Sequence, residues 1–184
     1  MIVSSGRLGP SLRKALMVLH IVTSVGWLAL MLCLLALGAV ALATEDADTL
    51  RTAYRTMPLL GDPLILPLSL LSLLTGLVLA LGTPWGLFRF QWVTVKFWLT
   101  LAAATASVFQ LTARLHEAGD VVARHPTGSI AAMHLGFTRY NLVIVPTLAL
   151  TVYVVNVALS VVKPSGRRRS WADRAGARRG RRSG

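Results

Sequence analysis

Four long apolar runs alternate with short polar segments along the chain, at about 15–43, 59–81, 92–115 and 141–162. Each reaches the roughly 20 residues that a helix needs to cross a bilayer core of about 30 Å. The pattern predicts an all-α, polytopic membrane protein: a four-transmembrane-helix bundle at 15–162, between a short N-terminal segment, 1–14, and a C-terminal tail, 163–184. The first run, ALMVLHIVTSVGWLALMLCLLALGAVALA, carries no formal charge. Arg13-Lys14 before it and Ala41-Leu42-Ala43 at its end resemble a leader peptide. The apolar core of a leader spans only about 7–15 residues, so this longer run is read as a retained helix.

The polar positions inside the runs fall at helical spacing. His20, Thr23, Ser24 and Trp27 lie at i, i+3, i+4 and i+7, one face of a helix. The third run carries Lys96, Thr100, Ala103, Ser107, Gln110 and Arg114 as a second stripe, with Ala102, Ala103, Ala104 and Ala106 permitting close helix contact. The fourth adds Tyr153, Asn156 and Ser160. At 1.5 Å per residue, His20 lies roughly 9 Å past Lys14 and Lys96 roughly 6 Å past Trp92, so both are expected at similar depth. A titratable group at such depth faces a partner helix or a cavity. Plainer roles stand beside this: Lys96 snorkelling to the headgroups, and His20 satisfied by a neighbouring Ser or Asn.

Breakers predict the connections. The first loop, 44–56, with Glu45, Asp46 and Asp48, is expected to hold a short outer helix. Asp62-Pro63 and Pro67 predict a second span that is bent or begins late. Residues 82–86, GTPWG, read as a turn, with Trp85 and Trp92 as interfacial aromatics. The third loop, 117–140, is broken by Gly119, Pro126 and Gly128. Lys163-Pro164-Ser165-Gly166 ends the last helix, and the basic low-complexity tail is expected to be disordered. Asp62, Arg139 and Asn141 are expected to form structural pairs at the outer ends.

Composition agrees with a membrane chain: 54% hydrophobic, mean hydropathy +0.63. The net charge of +12 suggests nucleic acid until it is located, because nine of the nineteen Lys and Arg residues lie from Lys163 onward. A basic segment beside a membrane helix reads first as a topology determinant and a partner for anionic lipid, with nucleic acid the weaker reading. With both termini cytoplasmic, thirteen basic residues lie inside and five outside. The expected protein is therefore multi-pass, with both termini on the cytoplasmic side. The single cysteine, Cys33, excludes an intramolecular disulfide. His116, His125 and His134, with Glu117 and Asp120, sit in or beside one outer loop; their nine-residue spacing matches no metal signature, and they are read as solvated loop residues, with copper or zinc the rival.

LHIVTSVGWLALM, TGLVLALGTPWGLFRFQWVTVKFWLTL and VVKPSGR resemble a bacterial family of four-helix integral membrane proteins of unknown function. More distantly, "LH…W" on the first helix and "W…K" on the third are similar to haem-dependent membrane protoporphyrinogen oxidases and to copper-resistance D-type membrane proteins. The oxidase resemblance implies that His20 and Lys96 act as a pair, with His20 as ligand to the iron of haem b; Trp27 on the His20 stripe, and Tyr153 and Asn156 near the same inner end of the last span, are expected in the same binding site. After Trp27 the chain reads LALMLCLLALGAV where the oxidases carry an arginine-aromatic segment, so the resemblance implies porphyrin binding rather than the oxidase reaction. Two rivals remain: a scaffold or accessory subunit without cofactor, in a homo-oligomer or a membrane complex, and a copper-handling protein. No reaction or substrate is assigned.

Overall fold

The computed structural model describes residues 8–82, 87 and 90–162. Four helices make up nearly all of it: α1 (Pro10–Ala43), α2 (Ala47–Leu81), α3 (Gln91–Arg124) and α4 (Thr138–Val162). Each is long and apolar enough to cross a membrane, and the described residues contain no β-strand. The architecture is that of an all-α, polytopic four-helix bundle. Each helix packs against its two neighbours in the ring, and neither α1 with α3 nor α2 with α4 packs closely across the diagonal.

Physical causes for each boundary are visible. Pro10 opens α1, where a missing N–H costs nothing. Asp46 caps α2, its carboxylate accepting from the backbone N–H of Thr49 at 2.9 Å and of Asp48 at 3.4 Å. The first loop is therefore much shorter than 44–56: α2 begins at Ala47 and runs unbroken through Pro58, Pro63 and Pro67. The late start expected from the prolines does not occur, because a membrane helix tolerates freed carbonyls where neighbouring helices cover them. Pro58 is covered in this way. A Cβ on Gly119 of α3 would lie 3.4 Å from the Pro58 ring and 3.8 Å from the Tyr54 carbonyl oxygen. Gly119 is thus a contact point inside α3 and not a loop breaker.

Helix α3 holds the larger departure. It continues to Arg124 rather than ending near 115, and at Ala106–Leu111 it passes through one π-helical turn. A π turn inserts one extra residue and shifts the register of everything beyond it. The stripe Lys96, Thr100, Ala103, Ser107 stays turned inward, but Gln110 is exposed and Leu111, Leu115, Ala118 and Val122 take the buried face. The sequence periodicity alone carries the stripe on to Gln110 and Arg114; the π turn ends it at Ser107.

The end of the bundle bearing the 43–47 and 124–138 connections is dry and tied down. Tyr54, Met31, Leu34, Leu50, Met57, Leu111, Leu115 and Leu142 are essentially inaccessible there. Gly38 lets α4 approach α1: a Cβ at that position would sit 2.7 Å from the Leu142 carbonyl oxygen. Arg51, itself buried, donates from Nε to the His125 carbonyl at 2.8 Å and from Nη2 to the Gly128 carbonyl at 2.6 Å, and pairs through Nη1 with Asp48 at 2.7 Å. Arg139 donates to the Ala41 and Leu42 carbonyls at 3.0 and 2.8 Å, closing the C-terminus of α1. Asp62 pairs with His116 at 2.9 Å and not with Arg139. The basic tail and most of the 83–89 turn lie outside the described residues.

Candidate functional site

At the opposite end the bundle is hollow. A chamber of about 270 Å³ lies among His20, Trp27, Lys96, Tyr153 and Asn156, so all five residues singled out in the sequence line one space. A second chamber of about 580 Å³ adjoins it and shares His20, Ile21, Ser72, Lys96, Thr100 and Ser160. Its remaining walls include Arg13, Met17, Leu73, Gly76, Leu77, Trp92, Val93 and Phe97. Sites for small molecules and cofactors occupy about 300–1,000 Å³ and are mostly apolar, with a few placed polar groups. The larger chamber meets that description by itself. Both histidine and lysine reach it because α1 and α3 are diagonal partners whose backbones stay apart.

The imidazole of His20 is held on one side. Nδ1 lies 3.1 Å from the Ser72 carbonyl oxygen and 3.0 Å from Thr75 Oγ1. A carbonyl only accepts, and the Thr75 hydroxyl already donates to the Leu71 carbonyl at 2.5 Å. Nδ1 therefore carries the proton in the neutral ring, and Nε2 keeps its lone pair. Nε2 has no hydrogen-bond partner among the described residues. Histidines that ligate a metal have this arrangement, with the second nitrogen donating to a carbonyl or carboxylate that fixes tautomer and orientation. Glycine makes the geometry possible: a Cβ at Gly76 would lie 3.0 Å from Cε1 of the ring. Gly76 and the Ser72–Thr75 cradle were not foreseen, because they lie on α2 and serve His20 only through the tertiary fold.

Lys96 donates to the Ser160 hydroxyl, and its Nζ stands 5.9 Å from the centroid of the Trp92 ring. It has no carboxylate partner among the described residues, where Asp48, Glu117 and Asp62 make the ion pairs. Every described Asp and Glu lies toward the dry end of the bundle. Asn156 donates to Thr100 Oγ1 at 2.9 Å, linking α4 to α3, and Ser160 donates back to the Asn156 backbone carbonyl within α4 at 2.9 Å. Ser24 and Ser72 share a hydrogen bond at 2.8 Å between α1 and α2. Three wall residues keep a buried polar atom without a partner: Trp27 Nε1, Ser69 Oγ and Asn156 Oδ1. Such atoms are costly in an apolar surround, and Tyr54 Oη, Ser107 Oγ and Arg139 Nε share that state elsewhere in the bundle.

The outer histidines behave differently. His116 is engaged with Asp62, and His125 Nδ1 donates to the Val121 carbonyl at 2.9 Å. His134 sits in a left-handed backbone conformation, φ 46°. Among the described residues no three His, Cys, Asp or Glu side chains converge on a point that would hold a metal ion.

The donor set fits a porphyrin. It offers one imidazole nitrogen with a fixed tautomer, an ammonium without a counter-charge, aromatic and aliphatic walls, and a chamber of adequate volume. In comparisons with family models, curated proteins and solved structures, none matches the chain.

Proposed function

We propose that this protein spans the bacterial cytoplasmic membrane four times, both termini in the cytoplasm, and binds haem b or a related porphyrin in the chamber at the cytoplasmic half. The observation that carries the reading is the orientation of His20: Nδ1–H spent on the Ser72 carbonyl, Nε2 unpartnered in the wall of a chamber of about 580 Å³. His20 is the ligand through Nε2, Lys96 supplies positive charge to an acidic substituent, and Trp27, Tyr153 and Asn156 bound the adjoining chamber. No second histidine lines either chamber, so His20 is the one histidine that would hold the group. A bound haem would supply a one-electron redox centre whose potential is set by that ligand and its hydrogen bond.

The visible spectrum of detergent-purified protein, titrated with haem, tests the reading. A Soret band that shifts on binding and is lost in His20→Ala is expected. A colourless preparation that takes up no haem overturns it and leaves the cofactor-free scaffold. Copper found by elemental analysis in its place supports the copper-handling rival. Orientation is tested separately by cysteine labelling at Ser183 and Ser129 in a Cys33→Ser background. The two positions are expected on opposite sides, Ser183 inside; labelling of both from outside overturns the topology.

A further inference from the structure

We propose that Arg13 and Lys96 form a two-point anion clamp on the larger chamber, which selects a ring ligand bearing two carboxylates on one edge. The inference rests on the porphyrin reading for the identity of the ring, but not on iron. Arg13 stands seven residues before His20, two turns away on the same face of α1, and lines the chamber that His20 and Lys96 line. Its guanidinium has no hydrogen bond or ion pair among the described residues, and Lys96 has only the Ser160 hydroxyl and the Trp92 ring. The two cations enter from opposite corners of the bundle, Arg13 in the first turn of α1 and Lys96 in the second turn of α3.

No acidic side chain among the described residues shares this end of the bundle. Lys96, half-buried in the chamber wall, and Arg13, exposed at its edge, have no anion provided by the described residues, so a ligand carrying two negative charges can pair with both. The chemistry of the pair is unequal. A guanidinium offers a planar fork that takes a carboxylate in two parallel hydrogen bonds, whereas an ammonium is a point charge. Arg13 is therefore the orienting contact and Lys96 the neutralising one. The ring is placed with its acid edge toward the cytoplasmic surface and its apolar edge against Met17, Leu73 and Phe97. A lipid headgroup paired with Arg13 is the competing account, and the experiment separates it.

Full-length protein is placed in nanodiscs of zwitterionic lipid. It is titrated with metal-free protoporphyrin and with its dimethyl ester, and binding is read from quenching of tryptophan fluorescence. Wild type is expected to prefer the diacid by about tenfold in all, most of it from half-buried Lys96 and less from exposed Arg13, where solvent screens the pair. Arg13→Gln and Lys96→Gln each lower the preference, and the double variant binds acid and ester alike. Equal binding of the two ligands by wild type, or binding of neither, overturns the clamp. So does a preference that survives in the double variant. Preference lost from Lys96→Gln but untouched in Arg13→Gln assigns Arg13 to lipid and overturns the two-point form. Haem titration of His20→Ala is run in parallel. A diacid preference without any His20-dependent Soret shift retains the clamp and removes the iron reading; the converse removes the clamp and retains the iron.

Discussion

The two halves of the bundle use the same four helices for opposite ends. In the half bearing the 43–47 connection, every large side chain that is fully buried finds its place, from Leu34 to Leu142. In the other half many of the buried residues are small or polar, Thr23, Ser69, Thr75, Ala103 and Ala104 among them, with Trp27, Leu87 and Val93 the larger ones, and the space they leave is the chamber. Without a hydrophobic force between helices in lipid, packing and hydrogen bonds hold a bundle together. One half relies on packing and on arginines that tie loops and termini. The other relies on inter-helix hydrogen bonds such as Ser24–Ser72 and Asn156–Thr100, and forgoes packing to keep room. The dry half fixes the fold, and the hollow half can carry chemistry without risking it.

Truncation should separate the halves most sharply. Leu34→Ala or Leu115→Ala, both fully buried, is expected to cost about 2–5 kcal/mol. Ile21→Ala, at a residue 54% exposed that lines the chamber, is expected to cost under about 1 kcal/mol. Unfolding in mixed detergent micelles measures both, and similar losses at Leu34 and Ile21 break the contrast. Gly38→Ala comes next. Its Cβ meets a backbone oxygen that cannot yield, so overpacking of about 1–3 kcal/mol is expected, partly offset by the helix preference of alanine. Gly76→Ala is the hollow-half counterpart: its Cβ presses on the His20 ring, and stability should barely change while haem affinity falls. A Gly76→Ala protein that binds as wild type removes the positioning role.

The smallest effect is expected at Asp46. Hydrogen bonds from the Thr49 hydroxyl and from the backbone N–H groups of Thr49 and Asp48 hold its carboxyl below the usual carboxylate range. A depressed folded pKa means the cap contributes above the ordinary carboxylate pKa and is lost as pH falls through the lower folded value. Hydrogen exchange at the first turn of α2 should accelerate only on that acidic side, and in Asp46→Ala the acceleration should already be present at neutral pH.

How much of this was legible in the chain divides along the same line. The number of helices follows from apolar run length, and the site residues follow from polar groups that have no reason to sit in apolar runs unless turned inward; Tyr153 and Asn156 are placed by that logic alone. What escapes is whatever depends on a neighbour. Pro58 looks like a breaker until Gly119 is known to cover it. The Ser72 carbonyl carries no mark in sequence, because every residue has one. Arg139 could close either a carboxylate or a helix end, and only the packing of α4 against α1 decides for the carbonyls of Ala41 and Leu42.

The π turn at Ala106–Leu111 sits at the border between the halves. One residue there sets the phase of α3 between two sets of demands, cations and hydroxyls below, leucines above. Removing Phe109, whose ring is largely exposed to the surround, would let the turn relax to ordinary α geometry. The extra residue and the π turn would then disappear together, and Leu111 and Leu115 would follow Ser107 at ordinary α spacing, so both ends would keep their buried faces. Such a deletion would leave composition, charge and hydropathy essentially unchanged, and the helix would still serve both halves. A single-residue deletion, usually ruinous inside a helix, thus has one address in this chain where it is absorbed, and descent with changes of length is expected to be most permissive there.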